Sequence, residues 1–137
     1  MSTLTDIVQH AQRRAAEIRP AIGGFPVLAE VLRQAGIRRN EWTLPAAQSI
    51  YLTDAGAVVQ TAPALIAAVS DVPAFDRDAV IDALRADQAG QTTFVQFLDS
   101  IWSAGVTTYV VDFDQRTATY SGINGETYIE HYPAVEL

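Results

Sequence analysis

Two histidines, His10 and His131, are the only side chains in this sequence that titrate near neutral pH unaided, and they bound the chemistry it can perform. There is no Cys and no Lys, and all nine basic residues are Arg. Thiolate nucleophiles, zinc–thiolate centres, iron–sulfur clusters, Schiff bases and a phosphate-loop lysine are thereby excluded. A nucleophile–histidine–carboxylate relay would have to use one of the two histidines. His131 ends a strand-like run beside Glu130, so the enzyme reading open to this sequence pairs His131 with Asp112 or Glu130 for acid–base work. His10 falls on a helix surface near Arg13 and Arg14 and reads as solvated.

Aromatic side chains with polar tips form a second group. Trp42, Tyr51, Tyr109 and Tyr120, together with His131, are the residues expected to line a small-molecule cleft, with Asn40, Ser49 and Gln60 flanking. Core packing accounts for the same aromatics, and it is the better account of Trp102 at helical spacing. The acids Asp112, Asp114, Glu126 and Glu130 offer the oxygen ligands that hard cations take, but their spacing matches no calcium loop and fits solvated strand edges. Arg33, Arg38 and Arg39 form either an anion patch or a set of intrachain ion pairs. Gly23-Gly24 precedes Phe25-Pro26 without a GxGxxG or GxxxxGK[ST] pattern, so it reads as a hinge before a helix. No cofactor and no metal are expected.

The chain has 137 residues, enough to bury a core without cross-links. A net charge of −7 argues against nucleic acid as a partner. The charge is uneven: residues 1–68 hold six Arg against five acids, and residues 69–137 hold three Arg against eleven acids, so the halves should attract each other. No apolar run approaches the length of a bilayer span, and the longest, Ala62 to Val69, is interrupted by Pro63. No leader pattern opens the sequence. The expected setting is the cytoplasm, without membrane contact, and a homodimer through sheet edges or helices is an open expectation.

The elements that must position these residues repeat. At a constant offset of 69 positions, Phe25 matches Phe94, Ala35-Gly36 matches Ala104-Gly105, Tyr51 matches Tyr120 and Gly56 matches Gly125. In both copies an apolar helical stripe ends at Ala-Gly and a β-branched residue opens a strand. The spacing predicts helices from Phe25 to Ala35 and from Thr92 or Thr93 to Ala104, the latter with Phe94, Phe97, Leu98, Ile101 and Trp102 inward. Strands follow at Ile37 to Leu44, Gln48 to Thr53 and Ala57 to Thr61, then at Val106 to Phe113, Thr117 to Ser121 and Glu126 to Tyr132. Each unit is preceded by a further helix, one striped by Leu4, Ile7, Val8, Ala11, Ala15 and Ile18 and one by Val80, Ile81 and Leu84, and a short helix is expected at Pro63 to Val69. The fold class is α+β: a duplicated helix-helix-meander unit with an antiparallel sheet packed against helices and pseudo-twofold symmetry. One domain spans 1–137, with unit one at about 4–61, a linker at 62–75 and unit two at about 76–133.

Asn124-Gly125 is the best turn signal, because both residues tolerate positive φ. A two-residue turn there sets Tyr120 opposite Ile129 and Ala118 opposite His131, giving one core face. Thr119, Ser121, Tyr128 and Glu130 then fall on the wet face with Thr108, Val110 and Asp112.

The string ADQAGQTTFVQFLDSIWSAGVTTYVVDFDQRTATYSGINGETYIEHYP from Ala86, with the earlier FPVLAEVLRQAGI, resembles the YbcV-like bacterial family of unknown function, some members of which carry the name phage envelope protein. The matching features are Gln88, Gly90 and Thr92, then Ala104-Gly105-Val106, Asp112, Tyr120, Gly125, Glu130 and Pro133. Family members often carry a histidine where this chain has Asp87, so an activity that needed that histidine would be missing. The resemblance implies no reaction. The expected function is a small binding or regulatory module with its cleft between the two units; a His131 enzyme and a phage-associated structural protein are the alternatives.

Overall fold

The computed structural model describes residues 3–18, 20, 23–66 and 70–137. Its elements run α1 (Leu4–Ile18), α2 (Phe25–Gln34), β1 (Ile37–Thr43), β2 (Gln48–Thr53), β3 (Gly56–Thr61), α3 (Arg77–Gln88), α4 (Phe94–Ser103), β4 (Thr108–Asp112), β5 (Thr117–Ser121) and β6 (Thr127–His131). Local chemistry explains the boundaries. Thr93 and Gln96 exchange side-chain and backbone hydrogen bonds in a capping box that starts α4. The Asp76 carboxylate accepts from the Ala79 N–H to start α3, and Pro26 occupies the first turn of α2 after Gly24. Both second helices stop at Ala-Gly, with Gly36 at φ +95° and Gly105 at φ +92°.

The strands form one antiparallel sheet in the order β3-β2-β1-β4-β5-β6. The protein is α+β, four helices with a six-stranded antiparallel sheet. At the centre, β1 and β4 pair Arg39 with Asp112, Glu41 with Val110 and Thr43 with Thr108. A shift of 69 positions carries this ladder onto itself about the Glu41–Val110 pair. The flanking bonds obey the same relation: Leu44 N–H donates to the Thr107 carbonyl at 2.9 Å and Phe113 N–H to the Arg38 carbonyl at 3.0 Å. So do the two non-glycine residues in the left-handed region, Ala47 at φ 53° and Arg116 at φ 57°, which close the matching four-residue loops.

All four helices lie on one face of the sheet. Gln12 of α1 reaches Gln60, Phe25 of α2 meets Tyr132 edge-on, Arg85 of α3 pairs with Glu130, and Phe97 of α4 lies against Tyr109 and Tyr120. The core between the layers includes Val8, Val31, Ile37, Leu44, Val80, Leu98, Ile101, Trp102, Val106 and Phe113.

Five expectations need correction. Ile7 and Ile18 are exposed, because α1 seats on the sheet through Val8, Ala11 and Ala15, whose small side chains permit a close approach, and Phe94, the first residue of α4, is also exposed rather than inward, with its ring against Trp42. Residues 63–66 of the linker are not helical; Leu65 and Ile66 N–H groups bind the Pro45 carbonyl instead, and residues 67–69 of the expected helix lie outside the described residues. The β5–β6 hairpin has a three-residue loop, not a two-residue turn. Gly122 N–H binds the Glu126 carbonyl, Gly125 N–H binds the Gly122 carbonyl, and Gly125 has φ +84°. That is a type I turn followed by a left-handed glycine, and it offsets the register by one. Tyr120 therefore faces Tyr128, Ala118 faces Glu130 and Thr117 faces His131. With the pairing parity reversed, Tyr128 and Glu130 join the helix side while Ile129 and His131 turn outward.

Candidate functional site

Register places the chemistry in rows across the helix-facing side of the sheet. One row reads Gln60, Ser49, Trp42, Tyr109, Tyr120, Tyr128, and the next reads Val58, Tyr51, Asn40, Val111, Ala118, Glu130. The Tyr109 ring stacks on Tyr120 at 5.4 Å and on Trp42 at 6.1 Å, with the Phe97 edge against both tyrosines. Trp42 is committed to this packing: its Nε1–H donates to Asn40 Oδ1 at 2.7 Å, and the Asn40 amide donates to the Ile50 carbonyl.

Tyr109 and Tyr120 are each only 5% exposed, and Tyr51 is 7% exposed. Among the described residues, neither the Tyr109 nor the Tyr120 hydroxyl makes a hydrogen bond. Burial pushes both phenols well above their ordinary value. The Tyr109 hydroxyl also feels Tyr120, Tyr51 of the first half and the Asp87 carboxylate; Tyr120 feels Glu130 and Asp87. Tyr51 is raised by burial, against which the neighbouring Gln12 and Ser49 side chains act. Among the described residues, Ser49 Oγ is the one buried side-chain polar atom without a hydrogen-bond partner, and the Tyr109 and Tyr120 oxygens do not belong to that class. A band of neutral polar groups thus crosses the seam between the two halves, under the helices.

At the rim lies a charged network. Glu130 accepts from Arg85 at 2.7 Å, from the Tyr128 hydroxyl at 2.6 Å and from Gln88 at 3.3 Å, and the Arg77 guanidinium covers the Tyr128 ring at 5.1 Å. Asp87, one residue before Gln88, accepts from the Thr92 hydroxyl at 3.5 Å. Burial alone would raise the Glu130 carboxyl, but the hydrogen bonds from Arg85, Tyr128 and Gln88 outweigh it and leave it below the ordinary 4.5. A depressed carboxylate contributes stability that is complete above its unfolded value and is lost as pH falls through the folded one. The stability gap between wild type and Glu130→Gln should therefore narrow between about pH 6 and about pH 3. Urea midpoints at each pH measure it; a gap that widens on acidification would contradict this network.

Of the expected site residues, Tyr51, Tyr109 and Tyr120 come together inside, Trp42 joins them as a packing neighbour, and His131 does not. His131 is exposed on the opposite face of the sheet from Glu130. Asp112 shares that outer face, but Thr117 lies between it and His131, and the Asp112 carboxylate accepts from the N–H groups of Asp114 and Gln115 in its own turn. The proposed acid–base pair is not assembled. The four acids grouped by sequence also separate: Asp114 pairs with Arg38, Glu126 accepts from Asn124 N–H, and Glu130 goes to Arg85. Arg33, Arg38 and Arg39 are all in intrachain pairs, with Glu30, with Asp54 and Asp114, and with Glu41. Glu30 was missed as a buried charge; the hydrogen bond from Arg33 holds its carboxyl down to about 2 despite burial. The Arg85, Gln88, Tyr128 and Glu130 network was missed because it depends on the β6 parity, although Arg85 and Gln88 at helical i, i+3 spacing were a legible hint.

Fold and site together define an α+β protein whose helices cover one face of a six-stranded antiparallel sheet over a buried band of tyrosines. Its sequence matches, over residues 14–131, the family described as Protein of unknown function (DUF1398), and the chain belongs to that family. It is 56% identical over 136 residues to uncharacterized protein Rv2012 of Mycobacterium tuberculosis, a match covering 99% of this chain and 83% of that one. The uncharacterized protein Mb2035 of Mycobacterium bovis matches to the same extent. No helix among the described residues is long and apolar enough to cross a membrane.

Proposed function

We propose that this protein binds a small molecule at the seam of its two halves, with Tyr109 and Tyr120 recognising it and Tyr51, Ser49 and Asp87 close by. One observation carries the reading: among the described residues Ser49 Oγ is buried without a hydrogen-bond partner, in the same row of the sheet as the rings of Tyr109 and Tyr120, residues that are each only 5% exposed. A buried polar group left unmade costs about 1–3 kcal/mol, so interiors rarely keep one without a reason. Trp42 supports the stack from behind, and His131 has no part in the site. Nothing in the arrangement favours an enzyme or a phage role.

The same proposal takes the chain as one domain built from two copies of a helix-helix-meander unit, which the matching φ values at Gly36 and Gly105 and at Ala47 and Arg116 support. The YbcV-like grouping, a cytoplasmic setting and self-association belong to it as well, and the site depends on none of them. A broad metabolite library, screened by thermal shift, tests the binding itself. Wild type should be stabilised by at least one compound to which Tyr109→Phe and Tyr120→Phe do not respond. A library in which no stabilisation depends on either hydroxyl would remove the reading.

A further inference from the structure

We infer that the sheet face turned away from the helices pairs with the same face of a second copy of this chain, about a twofold axis that runs along the strands. The inference gives a surface to the self-association named above and does not depend on the seam site, which lies on the other side of the sheet.

Register fixes what that face presents. Its middle row reads Val59, Ile50, Glu41, Val110, Thr119, Ile129, from one edge strand to the other. Val59 and Ile129, at the two ends of the row, are large apolar side chains left 55% and 51% exposed. On one side of it lies the row Ala57, Leu52, Arg39, Asp112, Thr117, His131, and on the other a row of hydroxyls and one amide. The contacts of all four helices are with the opposite side.

The area suits a second sheet. Six strands about 4.8 Å apart, with three outward residues each, make a face of roughly 29 Å by 17 Å. That is about 500 Å² in projection, and side-chain relief adds to it, so burying the face is of the order of the about 800 Å² per partner that a stable interface takes. A sheet edge, one strand deep, offers far less.

Charge decides how two copies meet. Sheets stack face to face with their strands roughly aligned, so a symmetric pair has its twofold axis in the plane between them, either across the strands or along them. An axis across the strands sets each middle-row residue on its own copy, which brings Glu41 onto the partner's Glu41 at the centre. An axis along the strands exchanges β1 with β4, β2 with β5 and β3 with β6. Arg39 then meets the partner's Asp112, and Val59 meets the partner's Ile129, each twice in the dimer. Arg39 holds Glu41 of its own chain through Nη2 at 2.9 Å and has further N–H groups to give. Asp112 uses Oδ1 for the N–H groups of Asp114 and Gln115, which leaves Oδ2 for the guanidinium. Like charges opposed across an interface are costly and opposite charges fix its register, so the arrangement along the strands is the one this face permits.

Sedimentation of the full chain over about 1–100 μM tests this, with Val59→Lys and Ile129→Glu as the variants. Both positions are exposed on edge strands, so each variant keeps the far-ultraviolet spectrum of wild type. The expected result is a wild-type mass that rises to twice that of one chain, and a dissociation constant raised at least about tenfold in either variant alone. Mixing the two variants in equal amounts should restore the dimer, because the introduced ammonium then lies against the introduced carboxylate at one end of the row and the native Val59 against Ile129 at the other. Asp112→Asn keeps an oxygen for its turn, removes the charge that Arg39 meets, and should weaken the dimer as well. A wild type that stays monomeric across the range overturns the inference. So does a wild-type dimer that neither edge-strand substitution weakens, which would place the contact at an edge or a helix, and so do two monomeric variants that fail to restore a dimer on mixing. None of these results bears on the seam, where the hydroxyl variants and the library decide.

Discussion

Gly105→Ala should lower the unfolding free energy by more than about 3 kcal/mol, whereas Gly36→Ala should lower it by only about 1 kcal/mol. The two glycines occupy matching helix ends with nearly the same backbone, φ +92° and +95°, so the strain of placing a Cβ in the left-handed region is common to both. Their surroundings differ. A Cβ on Gly36 would meet nothing within 4 Å. A Cβ on Gly105 would lie 2.5 Å from the Ala74 carbonyl oxygen and 2.5 Å from Phe75 Cα, which are backbone atoms and cannot swing aside. That backbone is itself anchored, since Asp76 N–H binds the Ala104 carbonyl at 2.8 Å and Phe75 packs on the core and close to Gly122. Gly105 also closes a full helix-terminating motif: its N–H binds the Trp102 carbonyl and Val106 N–H binds the Ile101 carbonyl. Shifting it disturbs α4 and the linker together. Urea titration of both variants is the measurement, and with a typical total of about 5–15 kcal/mol the larger loss is visible as a fall in midpoint or a failure to fold. Equal costs at the two positions would mean that the linker yields, and the close approach of residues 74–75 would not constrain this helix end.

That contrast also marks what a sequence can and cannot disclose. A threonine at 92 or 93, the two Ala-Gly stops and the β-rich runs Gln48 to Thr53 and Thr117 to Ser121 are local signals, and each produced the element expected of it. Positions 69 residues apart share backbone conformation at Gly36 and Gly105 and at Ala47 and Arg116. The β6 register was not legible. Asn-Gly serves both a two-residue turn and the last positions of a three-residue loop, and the difference of one residue reverses every side chain after it. His131 was thereby misplaced inward, and Glu130 and Tyr128 outward. The unpartnered Ser49 Oγ lay beyond reach for another reason. Whether a buried polar group is satisfied depends on residues far away in sequence, and no spacing rule reports it. The same holds for Glu30, whose burial follows from the packing of α2 on its neighbours.

The tyrosine pair yields the second large effect, and with it a way to separate packing from recognition. Tyr109→Ala should cost about 3–5 kcal/mol, because it deletes the ring held between Trp42 and Tyr120 and edge-on to Phe97 in a core that cannot fully collapse around the void. Tyr109→Phe keeps every one of those ring contacts and removes only the oxygen. An ordinary buried tyrosine loses about 1 kcal/mol when a made hydrogen bond is deleted in this way. Here no partner among the described residues is lost, so the variant should be as stable as wild type or slightly more so. Denaturant unfolding of the three proteins under one condition decides the matter. A loss of about 1 kcal/mol or more in Tyr109→Phe would mean that the hydroxyl is already satisfied in the free protein, which argues against its holding a ligand. A neutral or stabilising Tyr109→Phe that also abolishes ligand-dependent stabilisation would show an oxygen kept at the expense of stability. That combination is expected of a recognition group and not of a packing residue.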